Sequence, residues 1–456
     1  MNLFSPADHR PVHFVGIGGA GMSALALIAC RRGVRVSGCD TDVGGAADLA
    51  GLGVVVQQGH DPAHVAGTRA IVVTAAVPSN HPELARAREL GVPVVPRKEA
   101  LAALIAGARS VAISGTHGKT TTTVMTTEAL AAGGLEPTGI AGGRVGRWGG
   151  NARVAGDDLF VVEADEYDQA FLTLHPTVAV VNNVEPDHLE CYGSVEALEA
   201  AFVEFAARAA TPIVNIDDPG ARRVGSRLGK PRWFGFAPDA DLRITEVAQR
   251  ADATEAVIMR RGAQPVRLRL QVPGIHNLRN AVAALGAAEA LGASVERAAG
   301  ALAEFSGVGR RFERLGEHGG VAVVDDYAHH PSELAATLSA ARQAYPGRRL
   351  VAVFQPHLYS RTEAHGEAMG QALAAADLVI VTEIYAAREQ PIAGVTGRQV
   401  AEAASAAGAD VRFEGRRGEV GHLVFEALRP GDVVLTLGAG DITRVGPELV
   451  RWLNAG

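Results

Sequence analysis

The chain has 456 residues, of which 47% are hydrophobic and 20% are charged, and its formal net charge is −7 at pH 7. This length and apolar content exclude a disordered chain and predict about three domains, each large enough to bury a core. The negative charge, without a long basic run, argues against nucleic acid or a membrane surface as a partner and favours small molecules.

The three cysteines are Cys30, Cys39 and Cys191. Because their number is odd and they are too widely spaced for a zinc set, we expect a reducing cytoplasm. The apolar stretch at 12–30 is broken by glycines and follows no basic cluster, which predicts folded structure rather than a secretory signal. We expect a monomer or a weak homodimer.

Short apolar runs alternate with alanine-rich helical stretches along almost the whole chain, a pattern typical of parallel sheets covered by helices. The predicted strands are 12–16, 34–39, 70–74, 110–114, 159–163, 177–183, 212–216, 349–354, 377–382 and 432–437. The predicted helices are 21–32, 83–90, 119–132, 195–208, 277–291, 331–344 and 366–375. Breaks near 108 and 309 predict three α/β domains, at 1–107, 108–308 and 309–456.

The first predicted strand runs into GIGGAG at residues 16–21, which has the spacing G-x-G-x-x-G at the start of a helix. Glycine permits a tight turn and lets backbone N–H groups approach a pyrophosphate, whose charge the helix N-terminus favours. Asp40 ends the next strand, where an acid can accept a hydrogen bond from a ribose hydroxyl. The fingerprint does not separate NAD from another nucleotide diphosphate such as a UDP-sugar, and a turn that binds no ligand is the structural alternative.

A second glycine loop, ISGTHGKTTTT, occupies residues 113–123 between a predicted strand and a predicted helix. A standard P-loop has glycine where Ile113 stands, so this loop is shortened. Gly115 and Gly118 still release the backbone, Lys119 can reach the β- and γ-phosphates, and the Thr120 hydroxyl can ligate Mg²⁺. We therefore predict a nucleoside triphosphate site.

Two apolar strands near this loop end in acidic residues. The strand at 159–163 leads into EADEYD, residues 163–168, and the strand at 177–183 is followed by EPDH at residues 185–188. Oxygen ligands at the ends of strands beside a phosphate loop favour Mg²⁺ over zinc. The alternative is that these acids only solvate a loop and that His188 is structural.

Eight ordered motifs together resemble those of the Mur ligases, most of all the branch that adds L-alanine. They are GIGGAGMSALA at 16–26, SGTHGKTTTT at 114–123, EADEYD at 163–168, NNVEPDHLECY at 182–192, HNLRNAVAA at 276–284, GRRFE at 309–313, DDYAHHP at 325–331 and GAGD at 438–441. The similarity runs from about residue 11 to the C-terminus.

The resemblance implies a fold and a reaction. It implies a Rossmann-like N-terminal domain for the UDP-sugar, a central P-loop-type ATPase domain and a Rossmann-like C-terminal domain for the amino acid. The implied reaction joins L-alanine to the carboxylate of UDP-N-acetylmuramate, with cleavage of ATP to ADP and phosphate. It belongs to cytoplasmic peptidoglycan precursor synthesis, and Mg²⁺ is the expected cofactor.

The resemblance also implies roles for individual residues. It places the pyrophosphate of the UDP-sugar on Gly16, Gly18, Gly19 and Gly21, with Asp40 nearby. It assigns ATP to Gly115, Thr116, His117, Gly118, Lys119, Thr120, Thr121, His276, Asn277, Asn280 and Asp326. It assigns the metal to Thr120, Glu163 and His188, and L-alanine to Tyr327, His329 and Arg361. Lys119, His188, His329 and Arg310 are the expected catalytic residues.

Two departures from the family pattern bear on these roles. Several Mur ligases hold a second Mg²⁺ with a carbamylated lysine, but no lysine occurs here between Lys119 and Lys230. The alanine-adding branch resembles this chain in lacking that lysine. Leu358 stands where some members carry arginine, which leaves Arg361 as the expected partner of the alanine carboxylate.

Three other functions fit parts of the pattern. A murein-peptide ligase shares the fold and accepts a preformed tripeptide, but GIGGAGMS and HNLRN favour the alanine-adding enzyme. An NAD-dependent oxidoreductase leaves Lys119 and the acid-tipped strands without a role. A non-catalytic nucleotide-binding scaffold does not require Lys119, Glu163 and His188 together.

Overall fold

The computed structural model describes residues 3–387 and 389–455, which contain three separate β-sheets. Each sheet is mainly parallel, so the predicted α/β class is confirmed. The chain divides into two compact units, the first comprising Met1–Glu246, Ala256–Leu268 and Arg279–Glu304, and the second Val247–Glu255, Arg269–Leu278 and Phe305–Gly456. The boundaries near 108 and 309 stay predictions.

The first sheet has five parallel strands in the order β3-β2-β1-β4-β5. Every residue of β1 and β4 is buried, which explains why these strands read as continuous apolar runs. The chain leaves β1 between β2 and β4, and a ligand crevice is expected at such a switch point. The strands are β1 Val12–Val15, β2 Val36–Asp40, β3 Val55–Gln58, β4 Ala70–Val73 and β5 Val94–Pro96.

The second sheet has ten strands in the order β15-β14-β13-β12-β11-β10-β6-β9-β7-β8. Strand β6 lies between β10 and β9 and is parallel to both, so the ends of all three strands meet at one edge. The strands are β6 Arg109–Ser114, β7 Thr138–Val145, β8 Gly150–Arg153, β9 Leu159–Glu163, β10 Val178–Val181, β11 Thr211–Asn215, β12 Arg232–Gly235, β13 Leu242–Gln249, β14 Thr254–Arg260 and β15 Val266–Leu270.

The third sheet has six strands in the order β16-β17-β21-β18-β19-β20, and only the β16–β17 pair is antiparallel. Strand β17 is buried throughout and ends in two aspartates. The strands are β16 Glu313–His318, β17 Val321–Asp326, β18 Leu350–Phe354, β19 Leu378–Thr382, β20 Val411–Glu414 and β21 Val433–Leu437.

Fourteen α-helices accompany the sheets in the described residues, and none of them is long and apolar enough to cross a membrane. They are α1 Ala20–Arg31, α2 Pro82–Leu90, α3 Arg97–Ile105, α4 Lys119–Ala132, α5 Leu189–Tyr192, α6 Val195–Ala207, α7 Pro219–Gly225, α8 Ile275–Ala290, α9 Val295–Ala303, α10 Pro331–Ala344, α11 Tyr359–Leu373, α12 Gly397–Ala406, α13 Arg417–Ala427 and α14 Val445–Ala455. Short 3-10 turns occupy Val43–Leu49, Pro62–Val65, Gly146–Trp148, Tyr167–Thr173 and Asp441–Arg444.

The predicted elements agree with the structure within about two residues, apart from one start. The predicted helix at 366–375 begins at Tyr359, seven residues earlier than expected. Its first turn, YSRT, has no apolar periodicity. The preceding Leu358 has a positive φ of 69°, which the sequence does not predict.

Candidate active site

The first glycine loop forms a tight turn between β1 and α1. Gly16 has a φ of 84°, and its N–H donates to the Cys39 carbonyl at 2.8 Å. Gly18 has no room for a side chain, since a Cβ there would lie 2.3 Å from the Asp42 carbonyl oxygen. The third glycine, Gly21, opens α1 with the Arg97 guanidinium beside it, 2.9 Å from where a Cβ would stand.

Asp40 supports this loop from the end of β2. Its Oδ2 accepts a hydrogen bond from the Gly18 N–H at 2.9 Å, and its Oδ1 accepts one from the Asp42 N–H at 3.1 Å. The carboxylate therefore lies beside the loop, as the fingerprint predicts, and fixes the loop backbone. Gly45 approaches from the following 3-10 turn so closely that a Cβ on it would lie 1.9 Å from the Gly18 oxygen.

The second glycine loop joins β6 to α4. Gly118 adopts a left-handed conformation with φ 78° directly before the first residue of α4, and Gly115 has φ 135°. The first N–H groups of a helix have no intrahelical acceptor, so this end of α4 favours an anion. Thr120 and Thr121 are buried in the first turn of the same helix.

A second strand end holds the loop in shape. Asn183, which follows β10, accepts the Thr116 N–H through its carbonyl at 3.2 Å and the His117 N–H through its Oδ1 at 2.7 Å. The Glu185 N–H donates to the Thr116 hydroxyl at 2.9 Å. These bonds brace the loop from the end of β10.

Lys119 makes a buried ion pair inside this site. Its ammonium group lies 2.9 and 2.8 Å from the two carboxylate oxygens of Glu166 and donates to the Gly115 carbonyl at 2.7 Å. Burial alone lowers the pKa of Lys119, but the negative charges of Glu166 and Asp165 outweigh it, and the net pKa shift is upward. Lys119 is therefore a fixed cation at the mouth of the loop.

Glu163 lies at the same sheet edge as the loop. It ends β9 opposite Ile113 of β6, and its Oε1 accepts a hydrogen bond from the Gly142 N–H. The structure thus brings Glu163, Glu166 and Lys119 to neighbouring strand ends. Carboxylate oxygens at this edge, with the Thr120 hydroxyl, are the donor set that Mg²⁺ prefers.

His188 lies next to the acidic turn. Its ring packs edge-on against Tyr167 with centroids 5.0 Å apart, and its Nδ1 is 3.4 Å from a Glu190 oxygen. The His188 backbone is left-handed, with φ 54°. A non-glycine residue in that region often marks a site where the side chain must be aimed.

The C-terminal unit gathers a second set of predicted residues at the end of β17. Arg310 donates to Asp325 at 3.2 Å and to the Gly438 carbonyl at 2.6 Å, and its guanidinium lies 4.8 Å from the centre of the Tyr327 ring. Asp326 accepts the N–H groups of Ala328 and Phe312 at 2.8 and 2.7 Å. Burial raises the pKa of Asp326 to about 6.

Tyr327, His329 and Arg361 lie in one chain of contacts in this unit. The His329 ring packs against Tyr327 at 5.2 Å and faces the His357 ring at 6.1 Å, while Arg361 lies 3.4 Å from His357 Nδ1. His329 Nδ1 is 2.9 Å from the Tyr327 carbonyl oxygen, an acceptor that keeps the proton on Nδ1. Nε2 is then the basic nitrogen of that ring.

The motif HNLRN starts α8. Asn277 donates to the Pro273 carbonyl at 2.7 Å, and a Cβ on Gly274 would lie 2.5 Å from the His276 ring. Asn280 lies beside the second glycine loop instead, because a Cβ on Gly118 would be 2.8 Å from its Oδ1. The structure therefore places Asn280 beside Gly118, at the start of α4.

Three residues of the site were not singled out by the sequence. Glu166 pairs with Lys119, Asn183 braces the loop, and Arg97 lies between Gly21 and Asp165, with its Nη2 3.6 Å from the Asp165 carboxylate. Glu166 belongs to the predicted acidic run and Asn183 ends a predicted strand, so the sequence indicates weakly that both lie near the site. Arg97 had none, since it precedes an ordinary alanine-rich helix.

Family models match the chain in three successive parts. A Mur ligase family catalytic domain matches residues 11–109, a Mur ligase middle domain matches residues 113–288, and a Mur ligase glutamate ligase domain matches residues 310–440. These three matches follow the order of the three sheets, which gives the chain a three-domain α/β architecture.

Named relatives and solved structures match over nearly the whole length. The UDP-N-acetylmuramate–L-alanine ligase of Burkholderia thailandensis is 44% identical over 454 residues, which are 97% of this chain and 98% of that protein. The structure of UDP-N-acetylmuramate-alanine ligase MurC from Thermotoga maritima superposes with a TM-score of 0.85 at 29% identity, covering 98% and 100% of the two chains. A murein peptide ligase from Psychrobacter arcticus gives 0.72 at 22% identity, with 97% and 98% covered.

Proposed function

Since the chain belongs to the Mur ligase family, we propose that it joins L-alanine to the carboxylate of UDP-N-acetylmuramate with cleavage of ATP. The observation that carries this proposal is the 44% identity to a relative of that name across 97% of the chain. The likeness to the murein peptide ligase is at 22% identity and concerns the fold alone. The alanine-adding reaction is therefore favoured over the use of a preformed tripeptide.

The reaction begins with a carboxylate, which is a poor acyl donor and must first be activated by ATP. Because the sugar nucleotide and ATP both carry phosphates, two phosphate-binding loops are needed. A carboxylate oxygen of the sugar takes the γ-phosphoryl group of ATP, which gives an acyl phosphate and ADP. The alanine amine then attacks the acyl carbon, the C–O bond to phosphate breaks, and the nitrogen loses a proton. Positioning and charge stabilisation supply most of the rate, and no covalent bond to the enzyme forms.

The first loop is proposed to hold the UDP-sugar. Gly16, Gly18, Gly19 and Gly21 shape a turn that a pyrophosphate can approach, and Asp40 fixes that turn through the Gly18 N–H. Arg97, beside Gly21, adds a cation within reach of an anion on this loop.

The second loop is proposed to hold ATP. Gly115 to Thr121 surround its phosphates, and Lys119 counters the charge of the group in transfer. Glu166 keeps Lys119 charged and aimed at the loop. Asn280 lies beside Gly118, whereas His276, Asn277 and Asp326 are assigned to the nucleotide through the family pattern.

The residues at this sheet edge suit Mg²⁺. The Thr120 hydroxyl and the Glu163 carboxylate, both hard oxygen donors, would hold the ion. The family pattern assigns His188 to a second metal position. When bound, Mg²⁺ neutralises phosphate charge and polarises the transferred group. The contact between Glu163 and the Gly142 N–H orients the carboxylate beforehand.

The contact chain of Tyr327, His329, His357 and Arg361 is proposed to receive L-alanine. The Arg361 guanidinium is buried and suits the alanine carboxylate. His329 presents Nε2 as the group that takes the amine proton. Arg310, held by Asp325, supplies positive charge for the phosphates.

The experiment that tests this function follows phosphate release from ATP in the presence of UDP-N-acetylmuramate, with amino acids and a tripeptide added singly. We expect release only when sugar and L-alanine are both present, together with the mass of the alanyl product. Release that requires the tripeptide and not alanine contradicts the proposal in favour of a murein-peptide ligase. Nicotinamide binding without ATP cleavage contradicts it in favour of an oxidoreductase.

A further inference from the structure

A group of side chains that could bind a metal lies under the first sheet, below the first glycine loop and apart from the second. His13 of β1, Cys39 of β2, His64 of the 3-10 turn and Glu83 of α2 each offer one ligand atom, and the four atoms lie within 4.8 Å of one another. Cys39 packs in the same apolar cluster as Val65, Leu84 and Ala87. The group is therefore enclosed between the sheet, the turn Pro62–Val65 and α2.

The spacing of these atoms is close to that of a metal site. Cys39 Sγ lies 3.2 Å from each oxygen of Glu83, and His64 Nδ1 lies 2.8 Å from Glu83 Oε1. Tetrahedral zinc, with bonds of about 2.0–2.3 Å, separates its ligands by roughly 3.3–3.8 Å. A small outward rotation of the Glu83 and His64 side chains would open that space.

Glu83 is a buried acid that accepts the Asp61 N–H at 3.1 Å and otherwise contacts the Cys39 thiol and two histidines. Its side chain is fully buried, and in the described part of the chain its ion pairs are with His60 and His64 only. A buried carboxylate is costly unless a cation or a metal compensates it. Its neighbour Cys39 is neutral as a thiol, so a divalent cation is the group that would balance the cluster.

His13 supplies an independent sign of a ligand. The residue is fully buried, and within the described residues its Nε2 has no hydrogen-bond partner. Its other nitrogen, Nδ1, lies 2.9 Å from the Ser37 hydroxyl. A histidine anchored through one nitrogen and open at the other is the arrangement of metal-ligating imidazoles.

We propose that His13, Cys39, His64 and Glu83 bind one Zn²⁺ ion. A thiolate, two imidazoles and a carboxylate form a closed tetrahedral set of the kind that binds structural zinc, and sulfur and imidazole ligands disfavour Mg²⁺. The two anionic ligands neutralise the ion. The cysteine count could not reveal this set, because three of its four ligands are histidine or glutamate.

The ion would also stiffen the first glycine loop. The Cys39 carbonyl accepts hydrogen bonds from the N–H groups of Gly16 and Ile17, at 2.8 and 3.1 Å. Fixing the Cys39 side chain therefore fixes the backbone that holds the start of the loop. The zinc site is structural in this proposal and takes no part in the ligation chemistry.

The test uses the full-length protein, stripped with a chelator and then exposed to Zn²⁺ or Co²⁺ with Mg²⁺ in excess. We expect about one zinc per chain to survive gel filtration, and reloading to raise Tm by several degrees. Co²⁺ should give the ligand-field bands of a tetrahedral ion and a sulfur-to-cobalt charge-transfer band. Absence of that band in the wild-type protein overturns the proposal without any variant.

Matched variants locate the site. Cys39→Ser and His64→Gln should lower bound zinc from about one per chain to near zero. Cys30→Ser, whose thiol donates to the Leu52 carbonyl, should retain it, and so should His81→Gln, which belongs to an outer group with His60 and Glu83. Zinc retained in Cys39→Ser, or lost in His81→Gln and kept in His64→Gln, contradicts the assignment.

Discussion

At the scale of single residues, Lys119 and Glu166 form a buried ion pair at the second loop. The Glu166 side chain is 3% exposed and that of Lys119 is 17% exposed, so neither charge is well solvated. Removing one partner of a buried ion pair leaves the other charge uncompensated. The pair therefore contributes to folding, and it fixes the position of the cation at the second loop.

We predict that Glu166→Gln destabilises the protein by about 2–4 kcal/mol, because Lys119 is left buried without its counter-charge. Chemical denaturation measures this cost. Glu89→Gln, which removes the acid of an exposed ion pair with Arg86, is the matched control and should change stability little. Equal effects of the two substitutions would contradict the buried-pair account.

A second prediction at this scale concerns Asp326 and pH. Its pKa in the folded protein is about 6, above the ordinary 3.8, because the carboxyl is buried. The folded state thus binds the proton more tightly, so the stabilising contribution is full below about pH 4 and is lost as pH rises through 6. The difference amounts to about 3 kcal/mol.

Asp326→Asn should remove this dependence. Relative to the wild type, the variant is expected to gain stability as pH rises from 4 to 7, because Asn carries no charge to bury. Urea unfolding of both proteins across this range measures the difference. A constant gap between the two curves at every pH would show that Asp326 does not titrate differently in the folded chain.

At the scale of elements, the start of α4 depends on the conformation of one glycine. Gly118→Ala forces a Cβ into a left-handed backbone, which costs about 1–2 kcal/mol, and brings it 2.8 Å from Asn280 Oδ1. We predict lower stability and weaker ADP binding, measured by calorimetry. Gly300→Ala, on an open face of α9, should be neutral or stabilising. Unchanged ADP affinity in Gly118→Ala would argue against a phosphate on this loop.

The elements that the sequence predicts well are those with a strong local signal. The helix at 119–132 and the strand at 159–163 have the predicted bounds, since each combines a continuous pattern with a glycine or acidic end. The start of α11 was missed because Leu358, in a left-handed conformation, precedes a polar first turn. Local pattern carries no information on such a backbone state.

The candidate site was also predictable only in part, because local pattern does not show which side chains meet in the folded chain. Glycine spacing locates both loops, and acids at strand ends locate the sheet edge. Local pattern does not indicate which acid of EADEYD meets Lys119, and in the structure it is Glu166. The group of His13, Cys39, His64 and Glu83 could not be predicted from the sequence, because its members are far apart in the chain. The pairing of β1 with β2 brings His13 and Cys39 together only in the folded domain.

At the scale of the whole molecule, the two glycine loops are separate structures within the first compact unit. Each loop lies between its own strand and helix. Gly45 packs against Gly18 in the first loop, and Lys119 donates to the Gly115 carbonyl in the second. Arg97 is one physical link between them, through Gly21 and Asp165. Two substitutions can therefore damage one loop at a time.

The last prediction is that Gly45→Ala and Lys119→Ala have opposite binding defects. A Cβ on Gly45 would lie 1.9 Å from the Gly18 carbonyl oxygen, so the first loop must move and UDP-N-acetylmuramate binding should be lost while binding of the triphosphate persists. Lys119→Ala removes the cation of the second loop, so turnover should be abolished and binding of the triphosphate weakened, with sugar binding nearly intact. Calorimetric titration of both variants with both ligands gives four affinities, of which two should fall. If Lys119→Ala also abolishes UDP-N-acetylmuramate binding, the assignment of separate ligands to the two loops is wrong. The two loops would then form one site, with a single anion spanning both turns.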